Sequence, residues 1–293
     1  MLVLVVDSST PAVAAALAEV TAEGVALRAE RGKVDARAHG ELLAPQVDAV
    51  LAELGARPRD LAAIVAGTGP GPFTGLRVGL VTAASMGQAL GIPAYGVCSL
   101  DAIGWTATAD LGAAHLGAVD PGAVDPGAVD PGAVDPGAGD MGAVDRGVLD
   151  RGGRGLGAVE MGGGGMRSED SGAGRSGPGA VLVATDARRR EIYWAVYLSS
   201  GERIVGPEVG VPAAVGDRAR ELGVGAAVGE GAQRYAEQLG LPLLAGPAHP
   251  PPYALAVLAA DRIRAAAPAE PLTPLYLRRP DAVAATTRKP VLP

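Results

Sequence analysis

A five-residue repeat divides whatever this chain folds into. Gly117-Ala-Val-Asp-Pro121 recurs from 122, 127 and 132, then decays through Gly137, Gly142 and Gly147 into Arg/Gly-rich sequence. The biased segment, taken as 116–179, holds 20 of the 44 glycines. It has neither a helical nor a strand period, and proline at every fifth position weighs against a regular solenoid. Such a composition cannot bury enough apolar surface to offset the entropy of ordering it. The segment is therefore expected to be disordered, and any core must come from the 229 residues on either side of it. It carries ten acidic and five basic residues, so without it the net charge moves from −7 to −2.

Those flanks have ample material for a core, since 48% of the chain is apolar. Only 3% is aromatic, so Ala, Val and Leu must fill the core. The acidic balance argues against a broad basic surface that binds nucleic acid unaided, and any RNA contact should be shared with a partner. Cys98 is the single cysteine, which rules out an intramolecular disulfide and a cysteine-based zinc site and suggests a reducing compartment. Met1 to Val6 is too short for a signal sequence before Asp7, and no run of about eighteen apolar residues occurs. A cytoplasmic protein is expected.

Hydrophobic period and turn residues place strands at 2–6, 12–20 and 24–31, a helix at 41–54, a strand at 61–66, a helix at 75–90 and a strand at 94–97. After the insert the pattern restarts. Strands fall at 181–185, 191–198 and 207–211, a helix at 213–222, a strand at 225–229, and helices at 231–239 and 253–266. Three antiparallel strands followed by helix, strand, helix, strand is the ribonuclease-H-like layout of actin and the sugar kinases. The prediction is an α/β, two-lobed actin-like ATPase (ASKHA) fold, with a first lobe at 1–115 and a second at 180–293. The last helix belongs either to the second lobe or back on the first.

Two segments could carry chemistry. Asp7-Ser8-Ser9-Thr10 ends the first strand, where hydroxyls and backbone N–H groups could bind phosphate and the aspartate a water-bridged metal. An ordinary polar turn bonding its own backbone accounts for the same residues. Gly67-Thr-Gly69-Pro-Gly71-Pro72-Phe-Thr74-Gly75-Leu-Arg-Val-Gly79 joins a strand to a helix and could present donors to an anion. It lacks both the Walker A lysine and the dinucleotide glycine spacing, and its prolines remove donors. The following helix carries Gly75, Gly79, Ala83 and Gly87 on one stripe, which suits close approach either of a partner helix or of the chain's own sheet. Leu43, Val47, Val50 and Leu54 form an apolar face on the neighbouring helix. The three histidines, His39, His115 and His249, are at least 76 residues apart, so no HExxH-type site exists. No GxSxG nucleophile elbow occurs, and a carboxylate-only magnesium site stays open.

Taken together, Asp7-Ser-Ser-Thr10, His39-Gly-Glu-Leu-Leu-Ala-Pro45, Gly69-Pro-Gly-Pro-Phe-Thr-Gly-Leu-Arg-Val-Gly79 and Gly91-Ile-Pro93 closely resemble the TsaB (YeaZ) family. Thr185-Asp-Ala-Arg-Arg-Arg-Glu-Ile-Tyr193, Gly229-Glu-Gly-Ala232 and Pro274-Leu-Tyr-Leu-Arg-Arg-Pro-Asp-Ala282 extend the resemblance into the second half. The resemblance implies a role in making N6-threonylcarbamoyladenosine at position 37 of ANN-decoding tRNAs. In that family the transfer belongs to the paralogue TsaD, with TsaB as its dimerisation partner and the ATPase TsaE joining in bacteria. TsaD carries a histidine metal motif shortly after the strand matching 94–97, where this chain has Ser99-Leu-Asp-Ala-Ile103. The sequence departs from the family at Gly40, at Pro72 and in the insert. Pro72 replaces a serine and so removes a hydroxyl and a backbone donor, which weighs against phosphate binding.

The expectation is thus a non-catalytic scaffold subunit that holds no metal and requires no cofactor. It would bind TsaD directly through Leu43, Val47, Val50, Leu54, Gly75, Gly79, Ala83 and Gly87, reach TsaE and tRNA through the complex, and pair with itself when TsaD is absent. Weak ATP or ADP binding would fall on a vestigial site at Asp7, Ser8, Ser9, Thr10, Gly69, Gly71 and Thr74. The alternative is a self-sufficient ATP hydrolase or peptidase.

Overall fold

A computed structural model describes residues 1–116 and 179–278. The disorder expected of the repeat segment, and the end of the motif that runs to Ala282, lie outside the described residues.

The first sheet starts from an apolar run, Leu-Val-Leu-Val-Val. Alternate side chains of a strand point to opposite faces, so a run with no polar interruption needs cover on both. Strands β1 (Leu2–Asp7), β2 (Ala12–Val20) and β3 (Val25–Val34) form an antiparallel meander. Helix α1 (His39–Leu54) and a 3₁₀ turn at Pro58–Asp60 lead to β4 (Ala63–Gly67), and α2 (Phe73–Leu90) leads to β5 (Ala94–Val97). Strand order is β3-β2-β1-β4-β5, with β4 parallel to both β1 and β5. Leu4, Val6 and Leu17 meet Leu43, Val47, Val50 and Leu51 of α1 and Leu76, Leu80 and Ala83 of α2 on one face.

The other face is covered from far away in sequence. Val3, Val5, Ala16, Val65 and Tyr95 pack against α7 (Pro252–Arg264), the last helix, through Leu255, Ala256, Ala259 and Ile263. The exchange is mutual. Helix α3 (Ser99–Leu116) follows β5 but covers the second sheet, where Leu100, Ile103 and Ala107 meet Val181, Val183, Tyr193 and Tyr197. Gly104 lets α3 lie on the Tyr197 ring, because a Cβ there would stand 2.7 Å from ring carbons. Asp101 of α3 accepts hydrogen bonds from Tyr197 Oη at 2.7 Å and Arg203 at 2.6 Å, which fixes the helix across the lobe boundary.

The second sheet repeats the plan. Strands β6 (Ala180–Asp186), β7 (Ile192–Leu198) and β8 (Arg203–Gly210) form a meander, and after α4 (Pro212–Glu221) the short β9 (Ala226–Val228) pairs parallel with β6. The order β8-β7-β6-β9 matches β3-β2-β1-β4. Among the described residues a parallel bridge, Ala227 to Leu243, stands where the first sheet has its fifth strand. Leu182, Ile192 and Trp194 pack against Val215 and Ala219 of α4.

Both sheets and the α/β architecture follow the expectation from sequence. The differences are local. The helix read at 231–239 is two short ones, α5 (Glu230–Arg234) and α6 (Ala236–Leu239), broken at Tyr235. Strand β8 begins at Arg203, earlier than its apolar pattern suggested. Helix α3 had no counterpart in the sequence reading. It is sandwiched between β6, β7 and α7, so its buried residues do not trace a single stripe. Among the described residues no helix is long and apolar enough to cross a membrane.

Candidate functional site

Parallel strands β1, β4 and β5 end side by side, which brings Asp7, Gly67 and Ser99 together at their C-terminal edge. In open α/β sheets this edge is where ligands bind. Here it is filled by the chain itself. Asp7 Oδ1 accepts hydrogen bonds from the Ser9 backbone N–H at 2.9 Å and the Ser9 hydroxyl at 2.8 Å, and Oδ2 accepts from the Ser99 hydroxyl at 2.6 Å. Only 2% of Asp7 is exposed. Burial pushes its carboxyl above the usual range, and the bonds from Ser99 and Ser9 partly oppose that.

The glycine loop closes over this turn. Gly71 presses its Cα against the Ser9 carbonyl so closely that an added Cβ would stand 2.1 Å from the oxygen. The Gly69 N–H donates to Ser99 Oγ at 3.1 Å, so one hydroxyl ties the loop to Asp7. Ser8 Oγ donates to the Gly75 carbonyl and accepts from the Gly79 N–H, each at 2.8 Å, and holds α2 to the end of β1. Thr10 is buried, and its carbonyl accepts from His39 Nε2 at 2.9 Å, which makes that nitrogen the protonated one. Thr74 is exposed at the start of α2. The residues read as phosphate ligands are thus gathered, Thr74 apart, but their polar atoms bond to one another. Among the described residues no group of three His, Cys, Asp or Glu could hold a metal ion.

The stripe on α2 faces inward. Gly75 abuts His39 and Ser8, Gly79 abuts Ser8, Ala83 is fully buried, and Gly87 lies against Ile92 and Ala94. Leu43, Val47 and Val50 are likewise core residues of the first lobe. Of the eight residues read as a partner surface only Leu54, 42% exposed, reaches solvent. The small residues let α2 approach its own sheet, which corrects their assignment as direct contacts. The outward faces of α1 and α2 carry other residues, among them Ala44, Pro45, Val81, Ala84, Ser85 and Gln88. Val81 is 60% exposed.

The C-terminal segment locks this arrangement from outside. Leu275 N–H donates to the Thr68 carbonyl at 2.9 Å, and Tyr276 stacks on Phe73 with ring centroids 4.9 Å apart. Arg77 lies over the Phe73 ring and donates to the Tyr276 hydroxyl. Cys98, half-buried against the core of the second sheet, has its thiol pushed up to about 12 by desolvation and the nearby Asp101.

Beside the sealed turn, a cleft of about 620 Å³ opens between the lobes. Thr10, Pro11, Arg37 and Pro72 line one wall, and Arg188, Arg189, Arg190 and Arg234 line the other. Residues 188–190 form the tip of the β6–β7 hairpin with φ of 60°, 52° and 62°. Non-glycine residues in this left-handed region cost about 1–2 kcal/mol each. The tip is held by the Glu191 N–H to Arg188 carbonyl bond and by Arg278, which pairs with Glu191 and donates to the same carbonyl. Sequence reasoning noticed the arginine triplet only as a motif. Its convergence with Arg37 depends on how the lobes meet.

The two sheets and the helices exchanged between them make a two-lobed fold of the actin-like (ASKHA) type. Residues 17–116 match the family model described as TsaD: tRNA N6-adenosine threonylcarbamoyltransferase. An uncharacterized protein of Mycobacterium tuberculosis is 38% identical across 96% of this chain and 93% of its own length. One of Mycobacterium leprae is 36% identical across 96% of this chain and 56% of its own. The structure titled YeaZ from Pseudomonas aeruginosa has a TM-score of 0.55 over 94% of this chain and 99% of its own, at 20% identity. The chain belongs to one family with these mycobacterial proteins, and its own fold is that of YeaZ (TsaB).

Proposed function

We propose that this chain is a non-catalytic subunit of the system that makes N6-threonylcarbamoyladenosine in tRNA, acting in the cytoplasm as partner of a TsaD-type transferase. The observation that carries this reading is what has become of Asp7. In a chain whose first lobe matches a TsaD model, the strand-end carboxylate and the adjoining glycine loop are spent on Ser9, Ser99 and each other. Ser99 begins the segment where TsaD is expected to carry its metal histidines, and it serves instead as a structural link. The reading requires no cofactor of this chain. The outward faces of α1 and α2, which include the exposed Val81 of α2, supply the partner surface, and TsaE and tRNA are reached through the complex.

Light scattering of the full chain, alone and with its cognate TsaD, tests this. A heterodimer is expected with TsaD, and a homodimer without it. Val81→Arg should abolish the heterodimer while changing unfolding stability by no more than about 0.5 kcal/mol, as for other exposed positions. Depleting the chain should remove the modified nucleoside from digested tRNA. ATP turnover by the purified chain alone, lost in Asp7→Ala, would overturn the reading in favour of a self-sufficient hydrolase.

A further inference from the structure

We propose that the arginine-lined cleft between the lobes binds the phosphodiester backbone of an RNA strand. Its walls carry Arg37 on one side and Arg188, Arg189, Arg190 and Arg234 on the other, against one carboxylate, Asp186, which pairs with Arg234. Elsewhere in this acidic chain arginines sit on carboxylates: Arg28 on Glu19, Arg31 on Glu53, Arg220 on Asp217 and Arg262 on Glu270. Among the described residues the side chains of Arg37, Arg188 and Arg190 have no such partner. All three are exposed. Like charges that outnumber the one carboxylate among them repel one another, and an anion in the cleft would relieve that repulsion.

The backbone supplies a second, independent observation. Three successive arginines are held in the left-handed region at the hairpin tip, where glycine or asparagine would fit with less strain. Such strain persists where the surrounding structure imposes it, and it concentrates at functional sites. The consequence here is three guanidinium groups presented on a tip that Arg278 holds against the body of the protein.

The chemistry of the lining favours a diester strand over a free nucleotide. A nucleoside triphosphate concentrates charge on adjacent phosphates and is normally met by a backbone N–H cradle and a metal. Pro11 and Pro72 bring no N–H to this cleft, and Asp7 is already bonded on both oxygens. A strand carries one charge per phosphate, which suits guanidiniums spaced across two lobes. The inference deepens the proposed role in tRNA modification by adding a direct contact between this chain and the RNA, and rests on that role for the choice of RNA.

The test is fluorescence anisotropy of the full chain with an oligouridylate of about ten nucleotides, a length one single-strand groove can cover, titrated across salt. Replacing both Arg188→Ala and Arg190→Ala should reduce the slope of log K against log salt by about 1.4, from about 0.7 per phosphate contact on single strands. The double Arg→Lys variant should restore it. An unchanged slope in the double alanine variant overturns the proposal, and so does displacement of the RNA by ADP or inorganic phosphate at lower concentration than by unlabelled RNA. The same variants are weighed with TsaD by light scattering. An intact heterodimer with an unchanged slope refutes the cleft and leaves the subunit reading standing. RNA binding that depends on these arginines in a chain that never pairs with TsaD supports the cleft and refutes the subunit reading.

Discussion

The β1–β2 turn and the β6–β7 turn occupy the same place in their sheets, yet they have opposite characters. Each joins the first two strands of a meander, and each begins with an aspartate, Asp7 or Asp186. In the first lobe the turn is buried, its carboxylate is fully bonded and a glycine loop lies over it. In the second the turn is exposed, basic and held in strained backbone. Topology therefore set the position of both turns, and the side chains decided whether the position closes on itself or faces a partner. The position most exposed to ligands in this class of fold has been turned into packing in one lobe and into surface charge in the other.

The contrast can be broken most forcefully at Gly71. A branched side chain there meets the Ser9 backbone, which cannot swing away, so Gly71→Val should destabilise by about 3 kcal/mol in urea unfolding, the upper range for overpacking. Asp7→Ala comes next. It leaves the Ser9 N–H and two buried hydroxyls without their acceptor and should cost about 2 kcal/mol.

The carboxyl of Asp7 also gives a pH signature. Because burial raises its folded value above the unfolded one, the folded state holds the proton more tightly. That contribution is complete below the unfolded value of about 3.8 and is lost as pH rises through the folded one. Stability of the wild type relative to Asp7→Asn should accordingly fall as pH rises through this window, measured by unfolding at each pH. The smallest effect sharpens the other side of the comparison. Arg188→Gly should stabilise by up to about 1 kcal/mol by relieving the left-handed strain, and Arg188→Ala should not, since alanine keeps the Cβ that causes it. Equal stabilities for the two variants would show that the hairpin tip is relaxed.

The sheets were legible in the sequence because strand physics is local: Leu2 to Val6 is apolar throughout, and Glu23-Gly24 marks a turn. Helix α3 was not, since burial between two sheets and a helix removes the polar face that gives a helix its period. At the candidate site the order Asp7, Gly69, Gly71 was readable, but whether these residues faced a phosphate or one another depended on Ser99, a residue 92 positions away from Asp7. The stripe of Gly75, Gly79, Ala83 and Gly87 announced close approach without saying to what. Periodicity reports a face. It does not report its neighbour.

The exchange of α3 and α7 makes the two halves of the chain mutually dependent. A cut anywhere between 116 and 179 yields one fragment that holds the cover for its partner's sheet and lacks its own, and another in the converse state. Neither fragment has the full set of contacts of a folding unit, so each should be poorly soluble by itself, and the two should reconstitute one molecule when co-expressed. The protein is in this sense a split reporter made by its own topology, and the repeat tract lies where the split would fall.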